Sequence, residues 1–521
     1  MIYLLFLFIS ILVGAGLGVF LSTYYYPQMP SLEVLKNFYT VLPFFLVPII
    51  LGLVFRLRAI LIMTLIVLIG FLSFCYSTIV SKNRLDTILT TPSQNFIVGT
   101  VSVSFLNKIF INVSNYTVVV YLRDFDYEYT SLGSQVLISG RAKHTYSYLT
   151  NKNMYGYFLY LFKNNIPFVV YSKDDTVGEV IIPDSVFLNS VNTIRQDIYN
   201  KFSEYLPHTS FLSSSLIMGE SSEISKEFME SIRLSGVSHI FSVSGFHVSI
   251  IVIAFVIFLS LMRIPKFVQF IVISIFLAGY SLIVGLKPPV VRASVLASII
   301  LLVRSFSLKP NYLNITLIVG VIMLMIDPLL SVDVGFILSF LAIISIILFT
   351  KYVDDVFIFY LNKLNIEPSK QVKNIISLFS VSLTAVIFTL PVVIMWFGES
   401  PLMGIFSSIV LVPLSSLNII YGVVAYLVSL LSSTLGEIMF RGLNLINLIF
   451  IIITQMFASV DLSVSLRLGS PFTIGLLILA YYAIVVFLYL FIANPRLLLS
   501  FIKRVFRTNY FDTSSVQKLS P

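Results

Sequence analysis

Charge is scarce in this 521-residue sequence: 11% of the residues are Asp, Glu, Lys or Arg, where a soluble domain carries about 25%. Hydrophobic residues make up 58% and the mean hydropathy is +0.98, which excludes an ordinary soluble fold and indicates a polytopic membrane protein. The only cysteine, Cys75, lies inside an apolar run, so no internal disulfide can form and cysteine usage says nothing about the compartment. Histidine is nearly as rare. His144, His208, His239 and His247 include no H-x-H-x-D-H cluster, so a two-metal hydrolase site of that kind cannot be assembled. No G-x-x-x-x-G-K-[ST] stretch occurs, so energy for any transport must come from a partner. The net charge of +9 fits nucleic acid as a ligand, and equally fits the Lys and Arg that membrane proteins collect in cytoplasmic loops.

Along the chain, Ile2 to Phe20 is apolar, lacks a basic start and is followed by bulky residues where a cleavage site needs small ones. It reads as an uncleaved transmembrane helix. Val41 to Phe55 and Ala59 to Val80 follow, joined by Arg56 and Arg58. Placing those arginines in the cytoplasm puts the N-terminus inside and the segment after Val80 outside. The first region is therefore residues 1–80.

Residues 81–185 change character. FIVGTVSVSF, YTVVVYL and SQVLISGRA alternate in hydropathy between Asn, Asp and Gly turns, the pattern of a small all-β unit. A hundred residues and some five strands suit an OB-like barrel. Between Lys82 and Pro183 there are nine Lys/Arg and seven Asp/Glu, a weak footprint for nucleic acid. Tyr116, Tyr121, Phe125, Tyr127, Tyr146 and Tyr148, with Arg141 and Lys143, fit a base-stacking platform. The tyrosines fit a small core or a membrane-interface belt as well.

Residues 186–236 place apolar and charged positions at helical spacing, as amphipathic helices on the outer face do. Between them LSSSLIMGE, Leu212 to Glu220, is too short and polar to span and fits either a packed helix or a re-entrant segment. Residues 237–493 hold apolar runs at His239–Met262, Phe267–Leu286, Val290–Val303, Leu313–Ile326, Val334–Phe349, Ile375–Phe397, Leu402–Leu431, Ile438–Met456 and Ile474–Ile492. Basic residues recur in alternate loops (Arg263 and Lys266, Arg304 and Lys309, then Lys351, Lys363, Lys370 and Lys373), and the tail, residues 494–521, is basic and expected in the cytoplasm. That parity requires one crossing by Leu402–Leu431, with a break expected near Val412-Pro413. The expected fold is thus a polytopic α-helical membrane protein with an inserted extracellular all-β, OB-like domain.

Polar residues inside such runs are the candidates for function. HIFSVSGFH, His239 to His247, puts His239, Ser242, Ser244, Gly245 and His247 at the start of a lipid-soluble run, where polar groups survive only against protein or a water-filled path. Arg292 in GLKPPVVRAS follows Lys287 at a proline-started helix, an end that favours anions. A buried arginine costs about 2.5–3.5 kcal/mol on insertion scales, which argues against a decorative role.

The ordered motifs LIMGESSEISKEFMESIRLSGVSHIFSVSGFH, YSLIVGLKPPVVRAS, DPLLSVDVGFILSF and LPVVIMWFGESPLMGIFSSIVLVPLS resemble the competence domain of the ComEC family of DNA-uptake channels. The β-rich insert is similar to that family's external OB-like domain. The resemblance implies a channel in the cell membrane that carries single-stranded DNA into the cytoplasm during natural transformation. It also implies a separate DNA receptor and a cytoplasmic helicase or ATPase motor, with removal of the other strand either left to a separate nuclease or dispensable. Two positions depart from the pattern: Ile337 stands where a Gln is usual and Pro289 where a small residue is usual. The family commonly continues through a basic loop into a metallo-β-lactamase-like nuclease domain, and this chain is expected to lack it. No enzyme activity, metal or cofactor is expected.

Against that resemblance, His239, Ser242, Ser244 and His247 offer donors and acceptors to a strand carrying one negative charge per nucleotide, while Gly245 lets backbone amides approach it. The alternative is that they tie helices together. Arg292 likewise fits phosphate contact or an ion pair with Asp327 or Asp333, and one of those carboxylates fits either binding a cation or neutralising Arg292 between passages of DNA. Two rival functions stay open: an intramembrane serine hydrolase using Ser244 with a nearby histidine, and a small-anion transporter built on Arg292.

Overall fold

The computed structural model describes residues 7–15, 58–91, 96–105, 108–113, 116–121, 135–145, 147, 155–181, 186–219, 224–241, 245–364, 366–460 and 462–465. Ser242, Ser244, Tyr127, Tyr146 and Tyr148, and the expected spans Val41–Phe55 and Ile474–Ile492, lie outside those residues. The chain forms two compact units. One comprises Met1–Ile344 with Pro401–Ser463, and the other Ser345–Ser400 with Val464–Pro521.

The first unit opens with helix α1, residues 7–15, crossing α2, Arg58–Thr90. Small residues set this crossing: a Cβ on Gly14 would lie 2.1 Å from the Gly70 carbonyl oxygen, and the Ser10 hydroxyl donates to the Ile66 carbonyl at 3.0 Å. Close backbone approach through Gly and Ser is how helices associate where lipid removes the hydrophobic drive.

A barrel follows, built from β1 (Phe96–Phe105), β2 (Lys108–Val113), β3 (Tyr116–Tyr121), β4 (Gln135–His144) and β5 (Phe168–Ile181). It closes in the order β1-β2-β3-β5-β4, with β3 and β5 parallel and the other pairs antiparallel. Period-two alternation turns Ile97, Ile109, Ile111, Val118, Val120, Val136, Phe168 and Val170 into one core. Closure needs sharp bending. Gly99 supplies it where a Cβ would meet the Asn112 carbonyl oxygen at 2.5 Å, and the β1–β2 register slips between Val101 and Val103. The insert is not purely β: helix α3, Tyr155–Lys163, interrupts it between β4 and β5. Its Tyr157, Tyr160 and Lys163 recur at the helical i, i+3, i+6 spacing, a signal easily lost among strand-like neighbours.

Beyond the barrel come α4 (Val186–Tyr205), α5 (Ser210–Ile217), α6 (Lys226–Leu234) and the short α7 (Ser238–Phe241). α6 is amphipathic, burying Phe228 and Ile232, and Ser225 caps it by accepting from the Phe228 amide at 3.2 Å. α5 lies buried from Leu212 to Ile217, so LSSSLIMGE begins as a packed helix. Next are α8 (Gly245–Leu261), α9 (Lys266–Ile283), α10 (Pro288–Ser305) and α11 (Tyr312–Ile326). A 3-10 turn, Pro328–Val332, leads into α12, Val334–Lys363. α14, Gly404–Leu431, and α15, Ser433–Ala458, complete this unit. They share a core in which Tyr205 stacks on Phe440 at 4.8 Å and Phe241 meets Phe450 edge-on at 5.7 Å.

In the second unit the distal half of α12 packs on α13, Lys370–Phe397, through Phe349 on Phe388 at 4.4 Å and Phe357 on Phe379 at 5.4 Å. Lys351 lies inside α12, not in a loop as expected.

Six described helices are long and apolar enough to cross a membrane: Lys266–Ile283, Pro288–Ser305, Val334–Lys363, Lys370–Ile394, Gly404–Leu431 and Ser433–Ala458. The chain is a polytopic helical membrane protein. α8 and α11 are shorter, 17 and 15 residues. At ~1.5 Å rise per residue they reach about 22–26 Å, less than the ~30 Å hydrocarbon layer. The expected break near Val412-Pro413 is absent, since α14 runs through Pro413 without interruption. Pro413 removes one backbone donor, while the Ser415 and Ser416 hydroxyls both hold the Val412 carbonyl at 2.8 Å.

Candidate functional site

The sequence DPLLSVD folds as two caps in series. Asp327 accepts the Leu329 amide at 3.0 Å and starts the 3-10 turn with Pro328 behind it. Asp333 Oδ1 accepts the Phe336 amide at 2.6 Å and so caps α12. Its other oxygen, Oδ2, accepts from Lys163 Nζ at 2.5 Å, which joins the helix inside the barrel insert to the motif 170 residues later. Arg84, near the end of α2, donates to the Lys163 carbonyl at the C-terminal end of α3, where a cation suits the helix dipole. Burial pulls the Arg84 guanidinium below its ordinary pKa, with Asp327 acting in the opposite sense. Burial likewise pushes the Tyr160 hydroxyl upward, with Tyr121 and Asp333 adding to it.

Arg292 enters from α10, one turn after Pro288, and is 2% exposed. Its Nη2 donates to the Gly335 carbonyl at 2.9 Å, its Nη1 is 4.0 Å from Asp333 Oδ1, and its guanidinium lies 5.8 Å from the Phe336 ring centroid. Of the two carboxylates the sequence offers it, Asp333 is the partner. Nε and Nη1 have no hydrogen-bond partner among the described residues. Such unmatched buried donors cost about 1–3 kcal/mol each.

Lys287 serves elsewhere. It precedes α10 and donates to the Gly219 carbonyl at 2.5 Å, with Met218 O at 3.4 Å, so its charge sits at the C-terminal end of α5. The preceding Gly285 (φ 81°) and Leu286 (φ 53°) are left-handed, which turns the chain sharply from α9 into α10.

His247 is fully buried in the first turn of α8, with the Phe246 ring edge-on at 5.9 Å. His239 is exposed on α7. A Cβ on Gly245 would meet Ala293 at 3.4 Å, an ordinary contact, so α8 lies against α10 beside Arg292 with room for a small side chain. Gly236 (φ 77°) is tighter: a Cβ there would lie 2.5 Å from Gly404 Cα, and Ser407 Oγ donates to the Ser235 carbonyl at 2.7 Å. The glycines of the LSG and LMG motifs therefore pack on one another.

A polar seam escapes a reading centred on charge. Asn447 Nδ2 donates to Thr209 O at 3.2 Å and Thr209 Oγ1 at 3.1 Å, and Asn447 pairs with Ser213 Oγ at 2.9 Å. Asn418 donates to Asn447 Oδ1, and Thr209 Oγ1 donates to Asn444 Oδ1 at 2.7 Å. The signal was in LNLINLIF, two Asn three residues apart in an apolar helix.

On the barrel, β4 and β5 set Arg141 opposite Tyr171, and β3 sets Tyr121 beside Tyr171. The Tyr121 and Tyr171 rings stack at 5.3 Å, and the Tyr121 hydroxyl bonds that of Tyr157 at 3.0 Å. Tyr171, 42% exposed, was not singled out in the sequence. Arg141 and Lys143 are exposed, while Tyr116 packs on Phe168 at 6.0 Å as part of the core.

Comparison with known proteins places these motifs. The family described as Competence protein matches residues 216–495, which takes in α8, α10, the DPLLSVD turn and α14. ComE operon protein 3 of Bacillus subtilis (strain 168) is 26% identical over 263 residues, 50% of this chain and 32% of that relative. The match thus spans about a third of the relative's length. No solved structure matches.

Proposed function

We propose, from the premise that the chain belongs to the ComEC family of competence proteins, that it is the channel through which one strand of incoming DNA crosses the cell membrane. A role in competence DNA uptake follows from the family itself. The channel reading rests on one observation: the family match coincides with the helices that bring buried Arg292 beside partly buried Asp333. An ion pair taken out of water is weak support for stability, since desolvation offsets its attraction, so its presence among apolar helices points to a charged cargo.

In this reading the insert is an OB-like domain on the outer face. Its strand order suits that assignment, and the adjoining Tyr121, Tyr171 and Arg141 suit sequence-tolerant stacking of bases. Both chain termini are cytoplasmic by the distribution of Lys and Arg. A receptor delivers the DNA and a cytoplasmic motor pulls it. The chain itself acts as a conduit and not as an enzyme. The test is a deletion strain given labelled DNA, scored separately for surface binding and for entry. Loss of entry with binding retained is expected. Entry at the parental level sinks the channel reading.

A further inference from the structure

Two donors meet the Asp333 carboxylate, Lys163 Nζ at 2.5 Å and the Phe336 amide at the first turn of α12 at 2.6 Å, and Arg292 Nη1 stands 4.0 Å away, beyond hydrogen-bond reach. This is the chemistry of an oxyanion pocket, with two cations and a helix N-terminus around one carboxylate. The carboxylate does not complete it, because Arg292, 2% exposed, keeps Nε and Nη1 without a hydrogen-bond partner among the described residues. Two cations against one carboxylate also leave the pocket with a net positive charge.

We propose that Lys163, Arg292 and the N-terminal turn of α12 form a seat for a phosphate oxyanion, and that Asp333 holds the seat as an internal stand-in until a phosphodiester displaces it. The proposal rests on the DNA-channel reading for its cargo, though the seat itself is defined by the pocket. Several consequences follow from the geometry. Arg292 is covered, so an incoming phosphate must compete with Asp333 for the same donors. Release of Asp333 frees Lys163, and with it the tie between α3 of the insert and α12. Arrival of the strand would in this way loosen the contact that holds the pocket shut.

The experiment uses the full chain purified in detergent, with a fluorescent oligothymidylate as probe, inorganic phosphate as competitor, and phosphatidylglycerol against phosphatidylcholine vesicles as a third arm. Asp333→Asn keeps an oxygen to cap α12 and removes the competing charge. It is expected to bind the oligonucleotide roughly tenfold more tightly, with a log K against log salt slope steeper by about 0.7. Arg292→Gln and Lys163→Met are expected to weaken binding and flatten the slope by about the same amount, and Lys163→Arg to restore it.

A purely structural ion pair predicts that Asp333→Asn weakens binding or leaves it unchanged, and that result in a folded protein overturns the proposal. Since this variant is conservative, the test survives if Lys163→Met does not fold. If Asp333→Asn tightens only inorganic phosphate or only the anionic vesicle, the seat stands and the nucleic-acid cargo is refuted at this site. If the parent protein binds the oligonucleotide and Asp333→Asn binds it no better, the seat fails and the channel reading does not.

Discussion

Asn447→Ala tests whether the polar seam between α5, α14 and α15 holds the helical unit together. Asn447 is fully buried and meets three side chains, Thr209, Ser213 and Asn418. Side-chain hydrogen bonds within membrane bundles average about 0.6 kcal/mol, so three partners give about 2 kcal/mol. The substitution also strands the Asn418 amide, which adds about 1 kcal/mol or more. A loss of about 3 kcal/mol lowers the unfolding midpoint by roughly 3 °C, since an unfolding entropy of ~2.1 cal/mol/K per residue amounts to about 1 kcal/mol/K for a chain of this size. Asn444 supplies the internal comparison, since only its bond from Thr209 Oγ1 at 2.7 Å is at stake, worth about 0.6 kcal/mol. The assay heats detergent-solubilised protein and follows the monodisperse fraction by size-exclusion chromatography. If Asn447→Ala melts no earlier than Asn444→Ala, the seam is incidental and the reasoning fails. Asn418→Ala combined with Asn447→Ala should cost less than the two single losses together, because the partners are shared.

Gly236→Ala puts a Cβ 2.5 Å from the Gly404 backbone at a left-handed φ of 77°, so immunoblots of membranes should show little protein. Gly404→Ala, with its nearest contact at 2.9 Å, should be the milder of the two. Tyr171→Ala should weaken oligonucleotide binding by about 1–3 kcal/mol if a base stacks there, and unchanged anisotropy titrations would remove Tyr171 from the platform. Purified protein is expected to leave duplex DNA intact with Mg²⁺, Mn²⁺ or Zn²⁺; cleavage abolished by His239→Ala and His247→Ala would refute both the conduit reading and the place of those histidines in it.

What the sequence revealed and what it hid divide along physical lines. Apolar runs announce helices because lipid leaves backbone groups no other partner, so α9, α10, α14 and α15 fell close to their expected bounds. The strands around FIVGTVSVSF and YTVVVYL were legible from alternation. Helix α3 was not, since its nine residues are short and aromatic and give no long periodic stretch. The partner of Lys163 could not be read at all. An ion pair 170 residues apart leaves no local trace, whereas the caps made by Asp327 and Asp333 are written in D-P and in the polar residue before an apolar run. Pro413 misled for a related reason: proline signals a break, but the packing around the helix decides whether one occurs.

The glycine contact and the Asp333 pocket impose opposite demands on the helical unit. Gly236 against Gly404 fits the segment before α7 and the start of α14 into backbone-to-backbone contact that a single methyl group would disturb. Contacts of that kind are rigid, since a close-packed interface has few neighbouring arrangements of similar energy. Around Asp333 the order is reversed: donors exceed acceptors, Arg292 keeps two unmatched nitrogen atoms, and one carboxylate divides its oxygens between a helix cap and a lysine from a distant segment. An arrangement with surplus donors is stabilised by any further anion, whereas a satisfied one gains nothing from it. The helical unit therefore combines a fixed frame at Gly236 and Gly404 with a place where a further anion can change the balance, and that place lies where the insert's own helix is tied to the membrane helices.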